Sequence, residues 1–409
     1  MGISDLPKND LNWLSLLADS GTSSLANALG LINQAPPSPS ASELAKALAG
    51  LAPTNYLGLI NSAPPEPVRP VLPGALGLFG SELSTRSDLG AATGNFFGDL
   101  SGLGIVSPAT SSPLQWQYVT ARFTKFLAKL DFTPAQDVQG RTQQAGIIAR
   151  LNRAYYNHGS QTLNATLIGS WGKGTRTRPP RDADLLYILP DDVYWRYDRR
   201  AGNRQSDLLQ EVKGVLGDTY SRTDVKGDGQ VIVVPFTPSV EVAVGFRCTD
   251  GNIIVPNANG GGYYMISTAA AEAADIEHWD KQYNGNVRAL ARMMKTWQRF
   301  CNVDDLKSFW IERLAIEFLH QWESRYRDAF WYDWMVRDFL AYLISRANSW
   351  IFVPGTNEAI YLGEGWLSRA RTAYSKAVKA CDYERDNYQV LAGNEWQDIF
   401  GTDIPSWMP

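Results

Sequence analysis

One stretch of the sequence, residues 165–189, limits the possible folds of this chain more than any other. A short apolar strand is predicted at 165–168 and ends in Gly169-Ser170, and a second strand is predicted at 182–189. The loop between them carries glycines, prolines and several cations. Predicted helices lie before and after this pair of strands, so the sequence predicts an α/β domain here.

The second strand begins with two aspartates, Asp182 and Asp184. Residues i and i+2 of a strand point to the same face, so the two carboxylates are expected side by side. Like charges at this separation disfavour each other's ionisation, and a divalent cation removes that penalty. Two ions, Mg²⁺ or Mn²⁺ because the ligands are oxygen atoms, can assist in-line displacement at phosphorus. The alternative is an exposed Asp-x-Asp pair at a sheet edge without any metal.

A two-metal site usually needs a third carboxylate, and Glu241 is the candidate. It lies in the run Val240-Glu241-Val242, where a charge in an apolar strand is seldom without a partner. We therefore predict that Asp182, Asp184 and Glu241 are catalytic residues that bind the metal ions. An acid that simply points to solvent is the alternative for Glu241.

The segment between the two strands has features of a phosphate site. A small turn at Gly169-Ser170 lets backbone N–H groups approach phosphate oxygens, and the serine hydroxyl adds a donor. The following loop adds polar and cationic side chains that suit a nucleotide: Lys173, Thr175, Arg176, Arg178 and Arg181. The same residues also fit a solvated surface loop.

Composition argues against several other functions. The formal net charge is -4, which weighs against a protein that holds long nucleic acid by its phosphates, although local basic patches are compatible with it. Cys248, Cys301 and Cys381 are far apart, which suggests a reducing compartment rather than a zinc or redox site. The 3 histidines are also scattered, so carboxylates must hold any catalytic metal. No stretch is apolar enough to span a bilayer, and we expect a cytoplasmic protein.

The chain divides into three predicted parts. Residues 1–113 form an extension rich in Gly, Ala, Pro and Ser, in which the sequence at 29–33 returns at 57–61. Such an extension is either a tether or a docking and self-assembly segment. Residues 114–260 are predicted to form the catalytic core, and residues 261–409 a helical lobe that completes the nucleotide cleft.

Hydrophobic periodicity predicts the elements around the site. Helices are predicted at 116–130, 137–156 and 204–220, and apolar runs predict strands at 230–235 and 239–246. From Ala270 onward the sequence is mostly helical, and most of its tryptophans are predicted to lie in the core.

The run from Gly169 to Asp184, GSWGKGTRTRPPRDAD, resembles the active-site signature of the polymerase-β-like nucleotidyltransferases. More narrowly, it resembles the bacterial relatives of cyclic GMP-AMP synthase and oligoadenylate synthase, the CD-NTases of CBASS anti-phage defence. The resemblance covers roughly residues 114–334. It implies a nucleotidyltransferase lobe with a mixed sheet, a helical C-terminal lobe, two Mg²⁺ ions and synthesis of a cyclic nucleotide messenger from nucleoside triphosphates. It also implies an effector that senses the product, and regulatory proteins.

The resemblance extends into the helical half. The run Met294-Lys295-Thr296-Trp297 matches a family pattern in which the lysine contacts the donor triphosphate, so this role passes to Lys295. Ser308-Phe309 matches a later Ser-aromatic pair. By analogy Ser308 binds phosphate and Phe309 lies near a base, with ordinary packing as the alternative for Phe309.

Two other functions stay open at the level of sequence. One is a different nucleotidyltransferase reaction, such as addition to RNA 3′ ends or nucleotidylylation of a protein or small molecule. The other is a catalytically silent scaffold in which the repeats of residues 1–113 are the working part. The three intact carboxylates argue against the silent scaffold.

Overall fold

A computed structural model of the chain describes residues 115–220, 226–356 and 358–409. The predicted extension, residues 1–113, lies outside the described residues together with its repeats. Strands and helices alternate in the first part of the described chain, and helices dominate afterwards, as the sequence predicts. None of the described helices is long and apolar enough to cross a membrane.

The described helices are α1 (Val119–Leu130), α2 (Pro134–Tyr155), α3 (Gly169–Lys173), α4 (Asp191–Asp198), α5 (Arg204–Thr219), α6 (Ala269–Gln282), α7 (Asn286–Phe300), α8 (Ser308–Gln321), α9 (Tyr332–Ser345), α10 (Leu367–Arg385) and α11 (Gln389–Phe400). The described strands are β1 (Ala165–Leu167), β2 (Ala183–Ile188), β3 (Lys226–Asp228), β4 (Val231–Val234), β5 (Val240–Arg247), β6 (Ile253–Asn257), β7 (Tyr263–Ile266), β8 (Trp350–Phe352) and β9 (Ala359–Tyr361). Short 3₁₀ turns follow β6, α8 and α11.

The main sheet has seven strands and is mixed, as predicted. Its order is β1-β2-β5-β4-β3, and β6 and β7 continue from the far end of β5. β2 and β5 run parallel, whereas the other neighbouring pairs run antiparallel. β5 is central and is buried along almost its whole length, which explains its nearly continuous apolar sequence.

Helix α2 begins earlier than periodicity predicts. Thr133 and Gln136 form a capping box, in which the Gln136 amide donates to the Thr133 hydroxyl at 3.2 Å and the Thr133 amide donates to the Gln136 side chain at 2.9 Å. Pro134 occupies the first helical position, where a missing N–H costs nothing. The helix therefore starts at Pro134 rather than at residue 137. The predicted strands β1, β2, β4 and β5 differ from the observed ones by single residues at their ends.

Two large hydrophobic cores support the site. One lies between the sheet and helices α2 and α5, with Leu151 and Val212 packed against strand residues such as Val242. The other is formed by helices α7 to α11 and also by α1, which contributes Phe123 and Phe126. Helix α1 thus precedes the sheet in sequence but packs among the C-terminal helices. The predicted boundary between residues 260 and 261 stays a prediction.

Candidate active site

The predicted carboxylates lie at the start of two neighbouring parallel strands. The register of β2 and β5 places Asp184 directly opposite Glu241. One step earlier, the Ala183 amide donates to the Ser239 carbonyl at 2.9 Å, and the Ser239 hydroxyl donates to the Asp182 carboxylate. Since strand residues alternate between faces, all three acids fall on one face of the sheet. Asp184 and Glu241 are each 7% exposed.

This arrangement has the donor set that a hard divalent cation prefers. Adjacent strands lie roughly 4.8 Å apart, so carboxylates opposite each other can share one ion after a change of rotamer. In their present rotamers, the described His, Cys, Asp and Glu side chains form no group of three that could hold a metal ion. The assignment of Asp182, Asp184 and Glu241 as metal ligands therefore stays a prediction, which the strand register supports.

The predicted Gly-Ser turn is the start of a short helix, α3, rather than the start of a loop. Gly169 has φ +56°, a left-handed conformation that favours glycine. Gly172 packs so closely on β1 that an added Cβ would lie 2.2 Å from the Leu167 carbonyl oxygen. Gly174, at φ +70°, ends the helix. The glycines thus hold Ser170 against the end of β1.

A pocket beside these strands gathers several of the predicted nucleotide-binding residues. Ser170 from α3, Lys295 from α7 and Ser308 from the start of α8 all line it. The remaining lining residues come from the connection between α1 and α2, from α3 and the loop after it, and from α7: Phe132, Trp171, Thr175, Arg176, Thr177, Arg181, Gln298 and Arg299. Gly169 is buried beside Ser170. The pocket contains four cationic side chains and is therefore suited to an anionic ligand.

Arg176 is fixed in the wall of this pocket. Its guanidinium lies 4.3 Å from the ring centroid of Trp171 and 4.7 Å from that of Phe132. It also pairs with Asp137 at 2.6 Å. Stacking and a carboxylate partner together give this side chain a structural role, as expected for a half-buried arginine.

A buried ion network lies behind the pocket and joins α3 to the C-terminal helices. Glu312 of α8 lies between two lysines, with Lys173 Nζ at 2.5 Å and Lys295 Nζ at 2.5 Å. Lys173 also contacts Glu272 of α6 at 3.1 Å. The Thr175 hydroxyl donates to Glu312 and accepts from Lys295 at 2.9 Å. Lys295 therefore faces the pocket while its ammonium group is held by Glu312.

The charges of this network stabilise each other. Burial by itself would raise the pKa of Glu312, but Lys173 and Lys295 lower that pKa to about 2. Burial would likewise lower the pKa of Lys173, and the nearby carboxylates of Glu312 and Glu272 outweigh it and raise that pKa. Glu312 and Lys173 are therefore both ionised at neutral pH.

Phe309 does not line the pocket. Its side chain is 2% exposed and belongs to the helical core. The Lys173 ammonium lies 5.5 Å from the centroid of the Phe309 ring. This position corresponds to the packing alternative, and contact with a base stays a prediction. Glu272 and Glu312 were not among the residues predicted from the sequence. A signal for Glu312 was present, since it is an acid within the apolar helical run 309–318.

Comparison with known proteins identifies the domain. A family model described as "Second Messenger Oligonucleotide or Dinucleotide Synthetase domain" (SMODS) matches residues 118–279. No curated protein matches the sequence.

Solved structures share the fold at low sequence identity. The E. coli MS115-1 CdnC:HORMA-deltaN complex matches with 17% identity and a TM-score of 0.51, over 70% of this chain and 98% of that one. Vibrio cholerae DncV cyclic AMP-GMP synthase, a prokaryotic cGAS homolog, matches with 14% identity and a TM-score of 0.54, over 70% of this chain and 96% of that chain. A DncV mutant in complex with ATP, GTP and 5MTHFGLU2 matches with 13% identity and a TM-score of 0.56, over 71% and 97%.

The region matched by the family model contains the strand that carries Asp182 and Asp184 and the strand that carries Glu241. The solved structures share the mixed sheet with a helical C-terminal region, which is the fold predicted from the sequence. Residues 118–279 therefore match the SMODS domain family, and the described chain shares the fold of the CdnC and DncV structures.

Proposed function

We propose that this nucleotidyltransferase joins nucleoside triphosphates into a cyclic di- or oligonucleotide that acts as a second messenger in cytoplasmic anti-phage defence. The observation that carries the proposal is the meeting of Asp182, Asp184 and Glu241 on one sheet face. A cationic pocket lined by Ser170 and Lys295 also includes Arg181, the residue directly before Asp182. Transfer of a nucleotidyl group to a hydroxyl requires acidic side chains that bind metal ions and cationic side chains that bind phosphates.

The proposed reaction assigns a task to each group. Two Mg²⁺ or Mn²⁺ ions, when bound, supply the Lewis acidity for displacement at the α-phosphorus. Asp182, Asp184 and Glu241 would hold these ions on the sheet face and so orient the reacting groups. Ser170, Lys295 and Ser308 bind the donor phosphates, and Lys295 is positioned by Glu312. A 2′- or 3′-hydroxyl of the acceptor nucleotide attacks, pyrophosphate leaves, and a second transfer closes the ring.

Similar proteins suggest substrates and partners. A DncV structure contains ATP and GTP, and DncV is described as a cyclic AMP-GMP synthase. We propose that this chain also uses purine nucleoside triphosphates as donors and acceptors. The CdnC structure is a complex with a HORMA protein, and we propose that a regulatory protein also binds this chain. A downstream effector that senses the product completes the proposed pathway.

Product analysis tests the proposal. Purified protein is incubated with all four labelled ribonucleoside triphosphates and Mg²⁺, and products are treated with phosphatase and resolved by mass spectrometry. The test variant is Asp182→Asn with Asp184→Asn. The matched control is Asp191→Asn with Asp192→Asn, since these acids are exposed and follow the opposite end of β2.

A phosphatase-resistant product from the wild type and the control, absent from the test variant, supports the proposal. A linear product, extended RNA or a nucleotide-labelled protein would show that the enzyme catalyses a different transfer reaction instead of cyclisation. If the wild type makes no product and binds no Mg²⁺-nucleotide, the scaffold alternative holds instead. Nucleotide binding that depends on Asp182 and Asp184, without product, would indicate an enzyme that requires its activating partner.

A further inference from the structure

An apolar patch lies on the surface at the start of α11. Of the nine large hydrophobic side chains that are exposed in the described residues, four belong to it: Tyr388, Val390, Leu391 and Trp407. Single exposed apolar residues are ordinary on a protein surface, whereas a cluster of them marks a surface that contacts another group. We call these four residues the C-terminal patch.

Hydrogen bonds hold the two segments of the patch together. The Met408 amide donates to the Gln389 side chain at 2.7 Å. Trp407 and Val390, the sequence neighbours of this pair, therefore flank the same hydrogen bond. The buried Arg122 guanidinium donates to the Gln389 carbonyl at 2.8 Å and to a backbone carbonyl two residues before Trp407. The patch is thus one fixed surface on the helical core.

The N-terminal extension joins the described chain beside this patch. The described residues begin at residue 115, and the Gln117 amide donates to the Asn387 side chain at 3.1 Å. Asn387 directly precedes Tyr388 of the patch. Two residues span at most about 7 Å, so the extension is tethered close to the patch. A tether of this kind raises the effective concentration of the attached segment at the surface.

The extension contains two copies of a segment whose composition suits the patch. Residues 29–37 and 57–65 have the sequences LGLINQAPP and LGLINSAPP, and neither contains a charged residue. Leucine and isoleucine side chains gain free energy when they leave water for the aliphatic part of the patch. Proline rings pack well on aromatic side chains such as those of Tyr388 and Trp407. A repeat of this length is too short to bury its own apolar side chains.

We propose that one of these repeats docks on the C-terminal patch of its own chain. The copy at residues 57–65 is the main occupant, because its shorter connection to residue 115 gives the higher effective concentration. Of the two interpretations of the extension, a tether or a docking segment, the patch favours docking.

Hydroxyl-radical footprinting of the full chain, with oxidation measured by mass spectrometry, tests this proposal. The oxidation rate of Trp407 is the readout, and Tyr326 is the internal reference because both side chains are 57% exposed. The repeat variant carries four replacements: Leu31→Ser, Ile32→Ser, Leu59→Ser and Ile60→Ser. The matched control carries four replacements outside the repeats: Leu11→Ser, Leu14→Ser, Leu16→Ser and Leu17→Ser. Both sets lie in the extension, so the two hydrophobic cores keep all their side chains.

We expect Trp407 to be oxidised about threefold faster, or more, in the repeat variant than in the wild type, because a docked repeat covers its ring for most of the time. Tyr388 should change in the same direction. The control should match the wild type, and Tyr326 should be oxidised equally in all three proteins.

Three results would overturn the inference. Equal oxidation of Trp407 in the wild type and the repeat variant would show that no repeat covers the patch. An equal increase in the control would show that the repeats have no specific part in the protection. Protection that disappears when the protein is diluted would place the repeat of a second copy on the patch. Because the assay contains no nucleotide, its outcome is independent of the proposed reaction.

Discussion

Replacement of Glu312 by glutamine tests the buried ion network directly. The side chain is 2% exposed and lies between Lys173 and Lys295. Glutamine keeps its shape but removes the negative charge, which leaves two buried ammonium groups with reduced compensation. Removal of one partner from a buried ion pair typically costs about 3–5 kcal/mol. We therefore expect Glu312→Gln to lower the free energy of unfolding markedly at neutral pH.

The pKa of Glu312 gives a second route to the magnitude. Its usual value of 4.5 falls to about 2 in the folded protein, which corresponds to about 3 kcal/mol of stability at pH 7. Because the folded pKa is the lower one, this contribution is complete above pH 4.5 and is lost as the pH falls towards 2. The difference between wild type and variant should therefore shrink to about 2 kcal/mol near pH 3.5.

Urea unfolding followed by tryptophan fluorescence, from pH 7 to pH 3.5, measures this difference. The matched control is Glu277→Gln, since that side chain is 65% exposed in its pair with Arg288; we expect its unfolding midpoint to stay that of the wild type. A loss below about 1 kcal/mol for Glu312→Gln at pH 7 would refute the reasoning. So would a difference that is independent of pH over this range.

Two further predictions concern stability. Gly172→Ala should lower the melting temperature, because the new Cβ would meet a backbone oxygen at 2.2 Å. Gly214 is an exposed residue in the middle of α5, and a Cβ added there would have no atom within 4 Å. Gly214→Ala should therefore raise the free energy of unfolding by about 0.5–1 kcal/mol. Arg122→Gln should lower the free energy of unfolding in urea by about 3 kcal/mol, because the buried Arg122 guanidinium donates to Glu384 at 2.6 Å and to two backbone carbonyls. Burial raises the pKa of Glu384 to about 7, so protonation of this carboxyl offsets part of the loss. Arg141→Gln removes a surface pair and should leave the unfolding curve almost unchanged; equal effects of the two arginine variants would contradict this account.

Local signals predicted the strands around the site well. Strands β1, β2 and β5 follow from apolar runs bounded by glycine, proline and charged residues, and these signals depend only on neighbouring residues. The placement of Asp182 and Asp184 on one face also follows from alternation along a single strand. Their meeting with Glu241 depends on the parallel register of β2 and β5, which periodicity does not specify.

Other features depend on contacts between distant parts of the chain. The short helix α3 replaces the predicted loop because Gly169 adopts a left-handed conformation against β1. The partners of Lys173 come from α6 and α8, about a hundred residues or more along the chain. The burial of Lys173 therefore could not be predicted from the sequence of the basic loop alone. Trp116, which was included in the predicted helix, is 1% exposed and packs in the core of the C-terminal helices.

The packing of α1 among the C-terminal helices has a mechanical consequence. The chain enters the helical core with α1, crosses to the sheet core before α2, and returns between β7 and α6. Two covalent connections, rather than one, therefore join the two cores. A body attached at two points can rotate about the line through them but cannot swivel freely. Any opening of the cleft is thus restricted to one hinge axis, near residues 131–133 and 267–268.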